Sequence, residues 1–568
     1  MSGVGRVARA CDVVVVGSGA GGLTTAITAK KHGLDVVVIE KEPVFGGTTA
    51  FSGGVLWIPG NHLAKAAGHA DGRDAARAYL KHEAGNFYDS TAIEAFLDHG
   101  PEMLAFLERE TEVKFVLSAY PDYHPDADGG VPIGRSVTAV PYDSSRLGAD
   151  LARLRPPLES ITFMGMMFNS SNAELKHFFN ATRSPASALY VARRLFAHAR
   201  EVLRHGRGVQ VTSGNALAAR LAKSAIDLGI PILTGTPAKG LLRDGAVVSG
   251  VDLGAGRTIL ARKGVVLACG GFSHDLERIG AIYPHRRRGG EHLSPVPAGN
   301  TGDGLRLAEA AGARMEARYP HAAAWMPVSR ILRPGAPPLV FPHLVDRYKP
   351  GVIAVALDGR RFVNESNSYH DVGEGMIAAS ELGGETAAWL ICDHAAIRKY
   401  GLGYVKPAPV PMGRHLRSGY LVRGETVRDL AARIGVDPDA LEATVRDYNG
   451  PAESGLDPAF GRGSTAFNRY LGDPDHHPNP CVAPLRKAPF YAVKMVMGDL
   501  GTFDGLRTDV AGRVLDPGGN AIGGLYAVGN DRASIMGGAY PGAGITLGPI
   551  MTFGYVTGRH LAGVGPVA

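Results

Sequence analysis

Near its start the chain reads Val13-Val-Val-Val-Gly17-Ser-Gly19-Ala-Gly-Gly22, and Leu34-Asp-Val-Val-Val-Ile39 then leads to Glu40. The run of four valines predicts a buried parallel strand. Glycines at the spacing of Gly17, Gly19 and Gly22 allow a tight turn, close backbone approach to a pyrophosphate, and packing of a helix on the sheet. The phosphates then rest on that helix's N-terminus. Glu40 falls where a carboxylate can accept hydrogen bonds from ribose hydroxyls, which favours an adenosine with a free 2′-OH. The glycines alone would be a weak signal, but strand, turn, helix and acid occur in register. They predict a dinucleotide-binding βαβ unit, and NAD and FAD share it.

At 568 residues, with 45% apolar and 20% charged residues, the chain has an ordinary globular composition and room for two domains plus an insertion. Cys11, Cys269, Cys392 and Cys481 have no ligand spacing, so reduced structural thiols are expected and no metal site. No apolar run reaches the roughly 20 residues of a membrane span, and positions 1–10 lack the apolar core of a signal peptide. A cytoplasmic protein is expected.

The net charge of +6 is concentrated. Between Ser145 and Gly208, ten Lys or Arg face four acids, an excess equal to that of the whole chain. The same segment holds Ile161-Thr-Phe-Met-Gly-Met-Met-Phe168, and Leu189, Leu195, Phe196 and Leu203 stand among arginines at helical spacing. Such a basic amphipathic helix suits peripheral contact with an anionic bilayer on the inner face of the membrane, or alternatively a solvated face or a subunit interface. His285-Arg-Arg-Arg288 is a short basic run without interleaved aromatics, so no nucleic acid is expected as a partner.

Three further segments narrow the cofactor. Gly46-Gly-Thr-Thr-Ala-Phe-Ser-Gly-Gly54, Val265-Val-Leu-Ala-Cys-Gly-Gly-Phe272 and Val514-Leu-Asp-Pro-Gly-Gly-Asn-Ala-Ile-Gly-Gly-Leu-Tyr-Ala-Val-Gly-Asn530 resemble stretches of flavoproteins of the fumarate reductase and ketosteroid dehydrogenase type. The resemblance implies FAD, with contacts at Gly17, Gly19, Gly22, Glu40, Gly47, Thr48, Thr49, Ser52, Gly270, Gly271, Gly529, Asn530 and Leu547. Relatives with covalent FAD carry a histidine near the Gly46 segment; none stands there, so noncovalent FAD is expected.

Gly359-Arg-Arg-Phe-Val-Asn-Glu-Ser-Asn-Ser-Tyr-His-Asp371 resembles a fumarate reductase segment in which an arginine four residues past the glutamate donates a proton. Tyr369 stands in its place, and a dicarboxylate binder needs fixed cations, so a neutral substrate is expected. Pro121-Asp-Tyr123, Asn364-Glu365 with Tyr369, and Tyr540-Pro-Gly-Ala-Gly544 together resemble the 3-ketosteroid Δ1-dehydrogenases. The basic insertion resembles that of the longer members, which act on steroids such as cholest-4-en-3-one. The family resemblance implies Tyr369 as the base at C2 and Tyr123 as its hydrogen-bond partner favouring the phenolate. Tyr540 hydroxyl and the Gly544 N–H would bind the C3 oxygen. A tyrosine's ordinary pKa of about 10 is too high for an efficient base near neutrality, so something must lower it.

The predicted fold is α/β, with a discontinuous, doubly wound (Rossmann-like) FAD-binding domain at about 1–317 and 498–568. An α+β catalytic domain is inserted at about 318–497, and the basic segment at about 145–208 interrupts the first part. Gly299-Asn-Thr-Gly-Asp-Gly-Leu-Arg-Leu-Ala-Glu-Ala-Ala-Gly312 predicts a glycine turn before an amphipathic helix. The expected partners are a 3-ketosteroid and an electron acceptor such as a quinone. A 3-ketosteroid Δ4-(5α)-dehydrogenase, another fumarate reductase-like enone oxidoreductase, and a non-catalytic flavin-binding membrane partner remain alternatives.

Overall fold

The valine run forms β1 (Ala8–Val16), with Val13, Val14 and Val15 fully buried. It pairs in parallel with β2 (Val36–Ile39) on one side and with strand Arg257–Leu267 on the other. Ile232–Leu233 extends the sheet beyond β2, and Ala521–Ala527 extends it beyond Arg257–Leu267, both in parallel. Antiparallel strands at Gly240–Asp244, Val247–Gly254 and Arg513–Leu515 complete eight strands. This computed structural model describes residues 8–69, 71–168, 174, 177–178, 180–315, 317–333, 335–380 and 385–564.

Between β1 and β2 runs α1 (Ala20–Lys31), whose N-cap is Gly19. Gly17 has φ +116°, and a Cβ there would lie 2.1 Å from the Ala268 carbonyl oxygen; one on Gly22 would lie 2.2 Å from the Gly17 oxygen. The turn therefore closes only around glycines.

In the basic insertion, α2 (Pro185–His205) is longer than the apolar spacing predicts. Ser184 caps it, Pro185 opens it, and Gly206 at φ +73° ends it, three local signals that extend the helix past its periodic core. The apolar run at 161–168 forms a short 3-10 turn and an isolated bridge between Phe163 and Met166. Glycine Gly302 at φ +75° caps a helix at Asp303–Ala310, the turn and helix expected there.

A second sheet of six antiparallel strands comprises Ala323–Arg333, Ala336–Pro342, Val352–Ala356, Ala387–Cys392, Val422–Gly424 and Phe490–Thr502. Helix α3 (Tyr369–Ala379) lies against its strand Ala323–Arg333; a Cβ on Gly373 would stand 2.5 Å from Trp325 Cβ. That close contact fixes where Tyr369, the first residue of α3, projects. The last helix, α4 (Leu547–Ala562), crosses α1 at Gly554 and Gly558, where added Cβ atoms would meet Gly21 O at 2.8 Å and Thr28 Cβ at 2.7 Å. An α/β molecule results, with a mainly parallel nucleotide sheet built from segments on both sides of the antiparallel one.

Candidate active site

One cavity of about 860 Å³, lined mainly by apolar atoms, runs from the glycine turn to the loops of the second sheet. Its first half is a dinucleotide cradle. A Cβ on Gly19 would meet nothing closer than Thr49 Oγ1 at 3.8 Å, so the N-terminus of α1 stays open to a pyrophosphate. Thr49 Oγ1 accepts from Ala20 N at 2.9 Å, tying the Gly47–Phe51 turn to this helix end. Glu40 lines the cavity, its carboxylate oriented by Ser18 Oγ at 2.6 Å and by the N–H groups of Ser18 and Glu42. Gly47, Thr48, Ser52, Gly270, Gly529, Asn530 and Leu547 line it too. Gly271 stands behind the wall: its N–H donates to Asp531 Oδ1, and an added Cβ would lie 2.2 Å from Thr502 Oγ1. An open helix N-terminus, a buried acid at the wall and a long trough beside them fit FAD.

In the other half three tyrosines converge. Tyr123 hydroxyl donates to Tyr369 hydroxyl at 3.4 Å. The Tyr369 and Tyr540 rings meet edge to face at 5.0 Å, and Tyr123 stacks on Tyr540 at 5.5 Å. Their backbones are joined as well, since Tyr123 N donates to Pro541 O at 2.9 Å. Gly544, at φ +96°, packs so tightly that a Cβ would lie 2.5 Å from Val55 O. Its carbonyl accepts from Trp57 and Gly548, while its N–H has no acceptor among the described residues. Tyr540 and Gly544 thus present a hydroxyl and an amide donor on one loop that lines the cavity.

Burial, followed by the neighbouring tyrosines, pushes the Tyr369 phenol well above its ordinary pKa. Burial does the same to Tyr123, and it raises Tyr540 as well. An efficient base near neutrality needs a lowered phenol, and burial acts on Tyr369 in the opposite sense.

Residues 12–547 match the FAD binding domain family. The chain is 38% identical to the 3-oxosteroid 1-dehydrogenase of Mycobacterium tuberculosis over 566 residues, 97% of this chain and 98% of that one. The chain belongs to the flavoprotein family of the 3-oxosteroid 1-dehydrogenases. It is also 42% identical to the 4-oxocyclohex-2-ene-1-carboxylate 5-dehydrogenase of Sinomonas cyclohexanicum, over 97% of this chain and 94% of the relative. A crystal structure of 3-ketosteroid Δ1-dehydrogenase from Sterolibacterium denitrificans in complex with 1,4-androstadiene-3,17-dione has TM-score 0.88 at 34% identity, covering 98% of this chain and 100% of that one. As a member of this family the flavoprotein takes FAD as its cofactor.

Other residues shape the flavoprotein's site, some inside the segments already read and some, such as Phe467 and Tyr348, with no signal of their own in the sequence. Asn300 Nδ2 bridges Thr48 Oγ1 at 2.8 Å and Gly270 O at 3.0 Å, joining two cradle segments. Phe467 packs on Tyr123 at 4.4 Å, and Tyr348 on Phe467 at 5.9 Å, extending the aromatic wall outward. His124 places Nδ1 3.0 Å from both Glu83 oxygens and Nε2 3.2 Å from Asp371 Oδ2, bridging the Tyr123 segment to α3. Those bonds outweigh its burial and push it up to about 11. Arg135 binds Asp122 Oδ2 at 2.7 Å and Asp71, and Trp57 Nε1 donates to Asp122 Oδ1 at 2.8 Å. Asn364 and Glu365 are framework: Glu365 pairs with Arg361 at 2.7 Å and Arg462 at 3.2 Å, and Asn364 bonds Asn468.

Proposed function

We propose that the protein removes hydrogen from C1 and C2 of 3-oxosteroids, turning a 3-oxo-4-ene into a 1,4-dien-3-one. The observation that carries this reading is the convergence of Tyr123, Tyr369, Tyr540 and the unpaired Gly544 N–H in an apolar cleft continuous with the dinucleotide cradle. Both kinds of relative are named for dehydrogenation beside a ring ketone, and the apolar walls favour a steroid body.

Tyr540 hydroxyl and Gly544 N–H donate to the C3 oxygen, stabilising the negative charge that grows there as the C2 proton leaves. Tyr369 receives that proton, with Tyr123 donating to its oxygen. Its place at the N-terminus of α3 adds the positive end of a helix dipole to the stabilisation of a phenolate. FAD, when bound, accepts the hydride from C1. The same reading has the FAD held noncovalently, and acid precipitation should release it into the supernatant. Domains at about 1–317, 318–497 and 498–568, meeting at this cavity, are part of the same reading.

Anaerobic mixing with androst-4-ene-3,17-dione should bleach the flavin absorbance and yield the 1,4-diene, and Tyr369→Phe should abolish both. Unbleached flavin would reject the reading, and a product desaturated elsewhere in the ring system would reassign the reaction.

We also infer that α2 rests on an anionic bilayer, with a membrane quinone as the electron acceptor. No described helix is long and apolar enough to cross a membrane. Leu189, Phe196 and Leu203 are 62%, 67% and 87% exposed, Met164 nearby is 78% exposed, and Arg193, Arg200 and Arg204 are exposed among them. Ala188, Val191 and Leu195 of the same helix line the cavity, so a lipophilic substrate leaving the bilayer would meet its entrance. Cosedimentation with phosphatidylglycerol vesicles but not phosphatidylcholine vesicles, weakened by salt, is the expected result; indifference to both would overturn it.

A further inference from the structure

Resting on the 3-oxosteroid reading, we propose that Lys406 forms, at the end of the cleft away from the three tyrosines, a subsite for a carboxylate on the substrate's side chain. From the tyrosines the wall runs through Phe467 and Tyr348 to Asp346, whose Oδ2 accepts from Gly403 N at 2.8 Å; Lys406 follows three residues later. Phe467, Tyr348, Asp346, Gly403 and Lys406 all line the same cavity.

Four described cations line that cavity, and two are held by direct hydrogen bonds or ion pairs. Lys41 pairs with Asp303 at the nucleotide end. Arg155 has no side-chain hydrogen bond or ion pair among the described residues, but it lies at the nucleotide end, over Phe51 at 5.7 Å and within the field of Glu40 and Glu42. Lys349 donates to Leu471 O at 2.7 Å and Gly472 O at 2.9 Å. Lys406 has neither a hydrogen-bond nor an ion-pair partner among the described residues; its ammonium sits 5.2 Å from the Tyr404 ring centroid. Burial, then Arg414, pushes its pKa down to about 8.

Asp346 acts on Lys406 through its field but forms no ion pair with it among the described residues, and its Oδ1 is buried without a partner. Asp346 binds His343 Nδ1 at 2.7 Å through the same oxygen that holds Gly403 N. Leaving a cation half-buried and unpaired costs stability, a cost that an incoming carboxylate offsets. The loop is also fixed in advance. Leu402 and Val405 exchange backbone hydrogen bonds at 3.0 Å, and Tyr404 N donates to Tyr420 hydroxyl at 2.9 Å. Gly403, at φ +56°, leaves no room for a side chain: a Cβ would lie 2.4 Å from that hydroxyl. Lys406 is therefore presented by a rigid turn, which lowers the ordering cost of binding. Tyr540 and Gly544 hold the ketone, and Lys406 holds the opposite terminus.

The test compares kcat/KM of the FAD-loaded enzyme for a 3-oxo-4-ene steroid with a C22 side-chain carboxylic acid, for its methyl ester, and for androst-4-ene-3,17-dione. Wild type should prefer the acid over the ester by about tenfold or more, the scale of one charge pair in a desolvated site. Lys406→Met should erase that preference and Lys406→Arg should keep it, with flavin content confirming that both variants fold. Equal use of acid and ester by wild type, or a preference that survives Lys406→Met, would overturn the subsite while androst-4-ene-3,17-dione turnover leaves the steroid reading intact. No turnover of any of the three steroids would instead reject the steroid reading on which the subsite rests.

Discussion

Tyr369 is asked to take a proton from a site that keeps its own phenol protonated. The positive end of α3 favours the phenolate, while burial and the neighbouring tyrosines Tyr123 and Tyr540 oppose it and prevail. The active base is therefore a minor form at pH 7, and its share grows as pH rises. We expect log kcat/KM for androst-4-ene-3,17-dione to climb by about one per pH unit between pH 7 and 9, without the plateau that a base of pKa near 7 would give. A pH-independent rate across that range would show another group at work. Tyr369→Phe should lower kcat by roughly 10²–10⁴-fold, the usual contribution of a positioned base. Tyr540→Phe should cost about 10²–10³-fold, as for one donor to a developing oxyanion. Those two residues and Tyr123 were legible because each sits in a recognisable motif. Phe467 and Lys406 were not, since their place at the site depends on loops packing across the second sheet, which leaves no spacing in the chain.

At the scale of elements, β1, α1 and β2 were legible because each signal was local: a valine run, glycines in a turn, an acid ending a strand. Helix α2 was legible in its core but not its length, which Ser184 and Gly206 decide. The apolar run Ile161–Phe168 shows the limit, since period alone does not tell a turn lining a cleft from a helix. Most hidden were the contacts joining elements. His124 ties the Tyr123 segment to α3 through Glu83 and Asp371, pairs 41 and 247 residues apart in sequence. Because its folded pKa is raised above the ordinary value of 6.5 to about 11, its contribution is full below about pH 6.5 and is lost as pH rises through 11. His124→Gln should lower Tm at pH 7 by roughly 2 °C, a modest shift because the ring is partly exposed. The gap from wild type should shrink toward pH 11, and a gap that stays constant would mean the ring acts by packing alone.

Across the whole molecule, the cavity draws its walls from both sheets and from the basic insertion, so whatever fills the cradle also bears on the catalytic loops. Gly270 and Gly271 follow the strand Arg257–Leu267 of the nucleotide sheet, whereas Thr502, against which Gly271 packs, ends the strand Phe490–Thr502 of the other. Asn530 stands between them, its Cβ 3.1 Å from where a Gly271 Cβ would be and its Nδ2 2.3 Å from where a Gly501 Cβ would be. A ligand that binds only the folded chain stabilises it by RT ln(1 + [L]/Kd), about 2.7 kcal/mol at a hundred times Kd. Tm of flavin-stripped protein should therefore rise steadily with the logarithm of free FAD. Substituting Gly17 with Ala, which drives a Cβ into Ala268, should lower Tm without FAD and flatten that rise. Androst-4-ene-3,17-dione should raise Tm further only when FAD is present, because the cradle and the tyrosine end form one continuous cavity that bound FAD would part-fill. An equal steroid shift with and without FAD would mean that the two halves of the cavity bind independently.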